Sequence, residues 1–124
     1  MKILFVGEIV AKPGRDVVSK FLPEVIKENQ PDIVFANCEN LSGGRGITEE
    51  KIEQMRLVGI DYFTSGEHVF REKGTEDFID KVPVIRPANY PEGTMGDGYK
   101  IIDTGKKGKI LLINLIGLTS FGNN

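Results

Sequence analysis

Short unbroken apolar blocks alternate with longer stretches of helical period along this chain. Ile3-Leu4-Phe5-Val6 is the first block and predicts a buried strand that ends at Gly7-Glu8. Val18, Phe21, Leu22 and Val25 follow at helical spacing, which predicts an amphipathic helix from Gly14 to Glu28. Pro13 suits its start, where a missing N–H costs nothing. Pro23 predicts a kink or a break. Gln30-Pro31-Asp32 turns the chain into a second block, Ile33-Val34-Phe35-Ala36. Such a run suits a strand buried on both faces, as in a parallel sheet covered by helices.

Thr48 can cap a second helix, with Glu49 and Glu50 against its positive end. Ile52, Met55 and Val58 mark the inner face of that helix and Gly59 its exit. Tyr62-Phe63-Thr64 predicts a third strand that ends at Ser65-Gly66-Glu67-His68. Thr75 opens a short helix carrying Phe78 and Ile79. Val82 to Ile85 is a fourth strand, with Pro83 at its first position or on an edge. Tyr99 to Asp103 and Ile110 to Ile116 are two further strands, joined by a turn around Lys106-Lys107-Gly108-Lys109. The order predicts an α/β fold with a largely parallel sheet, flanking helices and right-handed crossovers. No repeat or low-complexity segment divides residues 1–124, so a single domain is expected.

Composition narrows the function classes. A chain of 124 residues holds one modest core. A net charge of −2, with scattered basic residues, makes no electrostatic case for nucleic acid or an anionic membrane. The single cysteine, Cys38, excludes an internal disulfide and fits a reducing compartment. The apolar N-terminus is too short for a signal peptide, and no run reaches membrane-spanning length. A cytoplasmic protein is expected.

The candidate chemistry lies where the strands end. They deliver Glu8, then Asn37, Glu39 and Asn40, then Glu67 and His68, then Arg86 and Asn89. In a parallel sheet these ends share one edge, where open α/β folds bind their ligands. Three carboxylates brought together repel unless a proton or a cation intervenes. Carboxylate, amide oxygen and imidazole suit a hard or borderline divalent metal such as Mn, Fe, Mg or Zn. Each residue also has a plainer reading. Glu8 suits a solvated strand end, and an Asx-type turn accounts for Asn37 and Asn40. Glu67-His68 suits a polar loop, Cys38 a small buried thiol, and Arg86 either a phosphate grip or a carboxylate pair. Gly43-Gly44-Arg45-Gly46 before a helix start is a weak anion-cradle signal without a P-loop lysine and hydroxyl.

Several stretches together carry a resemblance. They are Lys2-Ile3-Leu4-Phe5-Val6-Gly7, Lys12-Pro13-Gly14-Arg15, Asn37-Cys38-Glu39-Asn40, Gly43-Gly44-Arg45-Gly46-Ile47-Thr48, Gly66-Glu67-His68, and Arg86-Pro87-Ala88-Asn89-Tyr90-Pro91-Glu92-Gly93-Thr94. The chain resembles the YmdB family of calcineurin-like metallophosphoesterases, the 2′,3′-cyclic-nucleotide 2′-phosphodiesterases. The resemblance implies half of an αββα sandwich and metal-dependent hydrolysis of cyclic-nucleotide-type phosphodiesters. It implies two divalent ions, drawn from Fe, Mn, Mg or Zn. Glu8 and Glu67 stand where the family has an Asp and an Asn, both metal ligands. Glu39 matches the bridging carboxylate, Asn40 a further ligand, and His68 the group that protonates the leaving alkoxide. Arg45, Arg86 and Asn89 would meet the substrate. Glu8 in place of Asp carries its carboxylate outward by about 1.5 Å, one C–C bond.

Family members are about twice this long, and their second half supplies three more histidines. Here His68 is the only histidine. The expected centre is therefore incomplete in this chain, which reads as a truncated metallophosphoesterase domain. Two rival readings follow: a non-catalytic module that binds metal or nucleotide, and an interaction domain that assembles, as a homo-oligomer for instance, through an open sheet.

Overall fold

The computed structural model describes residues 1–117. Four parallel strands, β1 (Ile3–Glu8), β2 (Ile33–Asn37), β3 (Tyr62–Thr64) and β4 (Val84–Ile85), lie side by side in chain order. Helix α1 (Ala11–Asn29) connects the first pair and α2 (Glu49–Val58) the second. A single-turn α3 (Thr75–Phe78), running into a 3-10 turn at Ile79–Lys81, connects the last. An antiparallel hairpin of β5 (Tyr99–Asp103) and β6 (Lys109–Ile113) follows.

The two-residue side-chain period of β2 sets the layers. Val34 and Ala36 pack with Leu22, Ile52, Met55 and Phe63 under the helices. Ile33 and Phe35 face the opposite way and pack with Ile102, flanked by Tyr62, Ile110 and Leu112. Helices thus cover one face of the parallel sheet and the hairpin covers the other. The α/β class and parallel sheet match expectation, and β2 is buried on both faces. Its second cover, however, is a β-layer rather than helices.

Local signals placed the caps well. Thr48 Oγ1 accepts from the Lys51 N–H at 3.4 Å, and Gly59, at φ 118°, donates its N–H to Arg56 O. Four expectations need correction. β1 is an edge strand, and Ile3 and Phe5 remain 49% and 53% exposed because the hairpin covers β2 and β3 instead. Helix α1 runs from Ala11 to Asn29 without a break at Pro23, which removes the donor that the Ser19 carbonyl would have received. The last strand ends at Ile113 rather than Ile116, and β4 is confined to two residues beyond Pro83. Pro83 still contributes through its carbonyl, which accepts from the Phe63 N–H at 2.8 Å.

The outer face of the hairpin carries Tyr99 opposite Ile113 and Ile101 opposite Leu111, all of them exposed. Its turn is pinned to the sheet by an ion pair between Lys107 and Asp32. Asp32 also accepts the Lys2 N–H at 2.7 Å. The Lys107 hydrogen bond first, and the Lys2 N–H second, hold the Asp32 carboxyl below its ordinary pKa. A pKa lowered by folding gives stability that is fully present above the unfolded value, about 4. That stability is lost as pH falls through the folded value. Asp32→Asn should therefore lower the melting temperature at pH 7, and the gap should close as pH drops below about 4. Circular-dichroism melts across that range check this, and a gap independent of pH would exclude the ionic contribution.

Candidate active site at the carboxyl edge

β1, β2 and β3 all end on one rim. β1 pairs with β2 in regular register as far as Val6, then shifts so that Glu8 lies opposite Asn37. Past β2 the chain turns at once. Asn37 Oδ1 accepts the Glu39 N–H at 3.1 Å, an Asx-type turn that presents Glu39 and Asn40 at the edge. Past β3 the turn at Gly66 presents Glu67 and His68.

These side chains form one connected group. Asn40 Nδ2 donates to Glu8 Oε1, and Asn40 Oδ1 lies 2.7 Å from His68 Nδ1. A carboxylate only accepts, so the amide nitrogen of Asn40 faces Glu8 and its oxygen faces the ring. His68 Nδ1 must then carry a proton and donate. His68 Nε2 lies 3.5 Å from Glu67 Oε1. The His68 backbone N–H reaches Glu39 Oε2 at 3.4 Å. An open cleft of about 460 Å³ lies beside them. The structure thus brings Glu8, Glu39, Asn40, Glu67 and His68 together at one rim.

Glu39 is held from two directions. A Cβ added to the buried Gly66 would lie under 3.0 Å from the carboxyl carbon and both oxygens of Glu39, so only glycine lets this carboxylate approach the turn. The 41–46 loop folds back on the other side. Gly46 N–H donates to Glu39 O at 2.5 Å, and Ser42 N–H to Gly46 O at 2.9 Å. Those amides are engaged within the loop.

The remaining candidates lie elsewhere. Arg45 is exposed on the glycine loop. Arg86 directs Nε to Met95 O, Nη1 to Pro87 O and Nη2 to Thr94 O at 2.9–3.2 Å, and so shapes its own loop. Asn89 exchanges two hydrogen bonds with the backbone of Ile116, at 2.7 and 3.1 Å. Cys38 is fully buried, and burial, followed by the nearby Glu39 charge, pushes its thiol far above the ordinary range. It remains a protonated core residue.

Two residues at the rim escaped sequence reasoning. Asn114 Nδ2 donates to Ser65 O at 2.7 Å, and Tyr90 OH donates to Gly66 O at 3.2 Å. Burial first, then the charges of Glu67 and Glu39, raise the Tyr90 pKa, so its hydroxyl keeps its proton. The one available signal for Asn114 was a lone amide inside the apolar run Ile110-Leu111-Leu112-Ile113-Asn114-Leu115-Ile116.

The donor types suit a hard divalent cation, but they do not converge on one point. Among the described residues no three His, Cys, Asp or Glu side chains come close enough to hold an ion.

The family model for YmdB-like proteins matches residues 4–124. The chain belongs to the YmdB-like family. Over 120 residues it is 40% identical to a Bacillus subtilis 2′,3′-cyclic-nucleotide 2′-phosphodiesterase, covering 96% of this chain and 45% of that protein. It is 33% identical to a Mycoplasma genitalium protein named as a candidate phosphatase/phosphodiesterase, covering 94% and 43%. A Thermus thermophilus protein of known structure superposes with a TM-score of 0.89 at 30% identity, over 99% of this chain and 48% of that one. A Mycoplasma pneumoniae structure described as a novel phosphatase gives 0.87 at 28% identity, over 95% and 43%. The chain therefore spans about half the length of these relatives.

Gly66→Ala should push the flexible Glu39 carboxylate away from the turn with a stability change under about 1 kcal/mol, as read from the urea midpoint. Gly7→Ala, where a Cβ meets nothing within 4 Å, is the matched control. Cys38 should resist thiol reagents in the native state and react fully in denaturant.

Proposed function

We propose that this chain supplies one half of a metal-dependent phosphodiesterase centre, acting on a small phosphodiester of the cyclic-nucleotide type. The observation that carries the reading is the connected group of Glu8, Glu39, Asn40, Glu67 and His68 at one rim. Membership of a family with a named phosphodiesterase supports it.

Charge explains why a cation belongs here. Three carboxylates at an open rim repel an incoming phosphate, and a cation between them reverses the sign of the field. Two divalent ions of the Mn, Fe, Mg or Zn type would supply an activated water and stabilise the developing charge. Glu8, Glu39, Asn40 and Glu67 are this chain's share of the ligands. The remaining ligands would come from outside residues 1–117.

The chain's own contribution to the chemistry is proton transfer. His68 is oriented by Asn40 through Nδ1, which leaves Nε2 directed away from that bond. In its imidazolium form Nε2 donates a proton to the departing oxygen of the ester. Arg45, exposed on the glycine loop, is the proposed phosphate contact. Arg86 and Asn89 act on the substrate indirectly, by fixing the loops beside the rim.

An assembly in which this chain meets the remaining ligands should release nitrophenol from bis-p-nitrophenyl phosphate, or open 2′,3′-cyclic AMP, when supplied with Mn, Fe, Mg or Zn. His68→Ala should lower that rate by about 10²–10⁴-fold. Absence of turnover with all four metals would remove the catalytic reading for this chain. Glu67 at a family asparagine position, and His68 as the only histidine, favour a second reading, a non-catalytic module that binds metal or nucleotide. Calorimetric heat of Mn²⁺ binding without turnover would support that reading, and no heat would end it.

A further inference from the structure

The turn that presents Glu67 and His68 is held by side chains remote in sequence. Its two successive carbonyls, of Ser65 and Gly66, each accept from such a side chain. Ser65 O receives Asn114 Nδ2 at 2.7 Å and Asn37 Nδ2 at a longer 3.4 Å. Gly66 O receives the Tyr90 hydroxyl at 3.2 Å. We infer that Asn114 and Tyr90 are positioning residues which clamp the Ser65–His68 turn and thereby fix Glu39 and His68 in register with each other. The functional half of this inference rests on the phosphodiesterase reading.

Geometry makes the clamp consequential. The Asn114 main chain is itself anchored twice, by its N–H to Gly98 O at 3.4 Å and by its carbonyl to the Ala88 N–H at 2.8 Å. Its side chain thus works from a fixed base and joins the end of the hairpin to the rim of the parallel sheet. Tyr90 has a fixed base too, since its ring lies 6.1 Å from that of Phe70. The turn has little slack. Ser65 Oγ donates to Ile85 O at 2.8 Å on one side, and Gly66 lies against the Glu39 carboxylate on the other. The His68 N–H, two residues further on, touches that same carboxylate. A shift of the Ser65 carbonyl therefore moves Gly66, and with it the spacing between Glu39 and His68. Errors of about 1 Å at such a spacing cost up to about 10²-fold in rate.

Asn114→Leu removes the donor while keeping size and neutrality, and Tyr90→Phe removes a single oxygen. His68 is the only histidine, so its ring gives one unambiguous signal in a ¹H–¹³C spectrum. In the full chain, both variants should displace or broaden that signal and the Glu67 and His68 amide signals, while methyl signals of the helix-side core stay in place. With bis-p-nitrophenyl phosphate and Mn²⁺, kcat should fall about tenfold while KM stays within about twofold. Unchanged ring and amide signals in Asn114→Leu would overturn the clamp whatever the turnover. A rise in KM alone would also overturn it. Should Asn114→Leu fail to fold, Tyr90→Phe decides by the same signals. A wild type without turnover, whose ring signal still moves in the variants, would support the clamp and count against the phosphodiesterase reading alone.

Discussion

Everything in this fold follows from burying β2 on both faces. Ile33 and Phe35 must leave water on one side, Val34 and Ala36 on the other. Two layers are needed to do that, and the chain provides helices for one and a hairpin for the other. A strand buried in this way has no freedom to slide, because a slip of one residue would exchange its two faces. The abrupt polarity after Ala36 is therefore delivered to a fixed point. Asn37, Glu39 and Asn40 reach the rim because the residues behind them cannot move.

The rim gathers like charges that the surrounding groups must hold in place. Carboxylates on adjacent strand ends would relax apart in an unconstrained chain. Here they are restrained by neutral groups: the Asn40 amide between Glu8 and His68, and the His68 main-chain N–H on Glu39. Glycine at position 66 removes the one side chain that would push Glu39 away. The geometry of this rim is set by the protein's own hydrogen bonds.

Legibility in the sequence divided along the line between local and remote forces. Strands β2, β3 and β5, the Thr48 cap and the Gly59 exit depend on neighbours within a few residues, and these were readable. Glu8, Glu39 and Glu67 could be grouped because a parallel sheet places all its strand ends on one side. The edge position of β1 could not be read, since it depends on which strand the hairpin covers. Arg86 was open to two readings, and neither matches the three backbone carbonyls it reaches. Asn114 was invisible for the same reason, because its partner lies 49 positions away. Pro23 shows the reverse case, where packing of the amphipathic face overrides a strong local breaker.

The hairpin's outward side has a thermodynamic meaning of its own. Tyr99, Ile101, Leu111 and Ile113 form two cross-strand pairs whose apolar atoms meet solvent. Each square ångström of that surface carries a hydration penalty of roughly 25 cal/mol. With a net charge of only −2, the molecule has little repulsion to keep such surfaces apart. Salts that strengthen apolar association act on this face, as they do on the exposed Ile3 and Phe5 of β1.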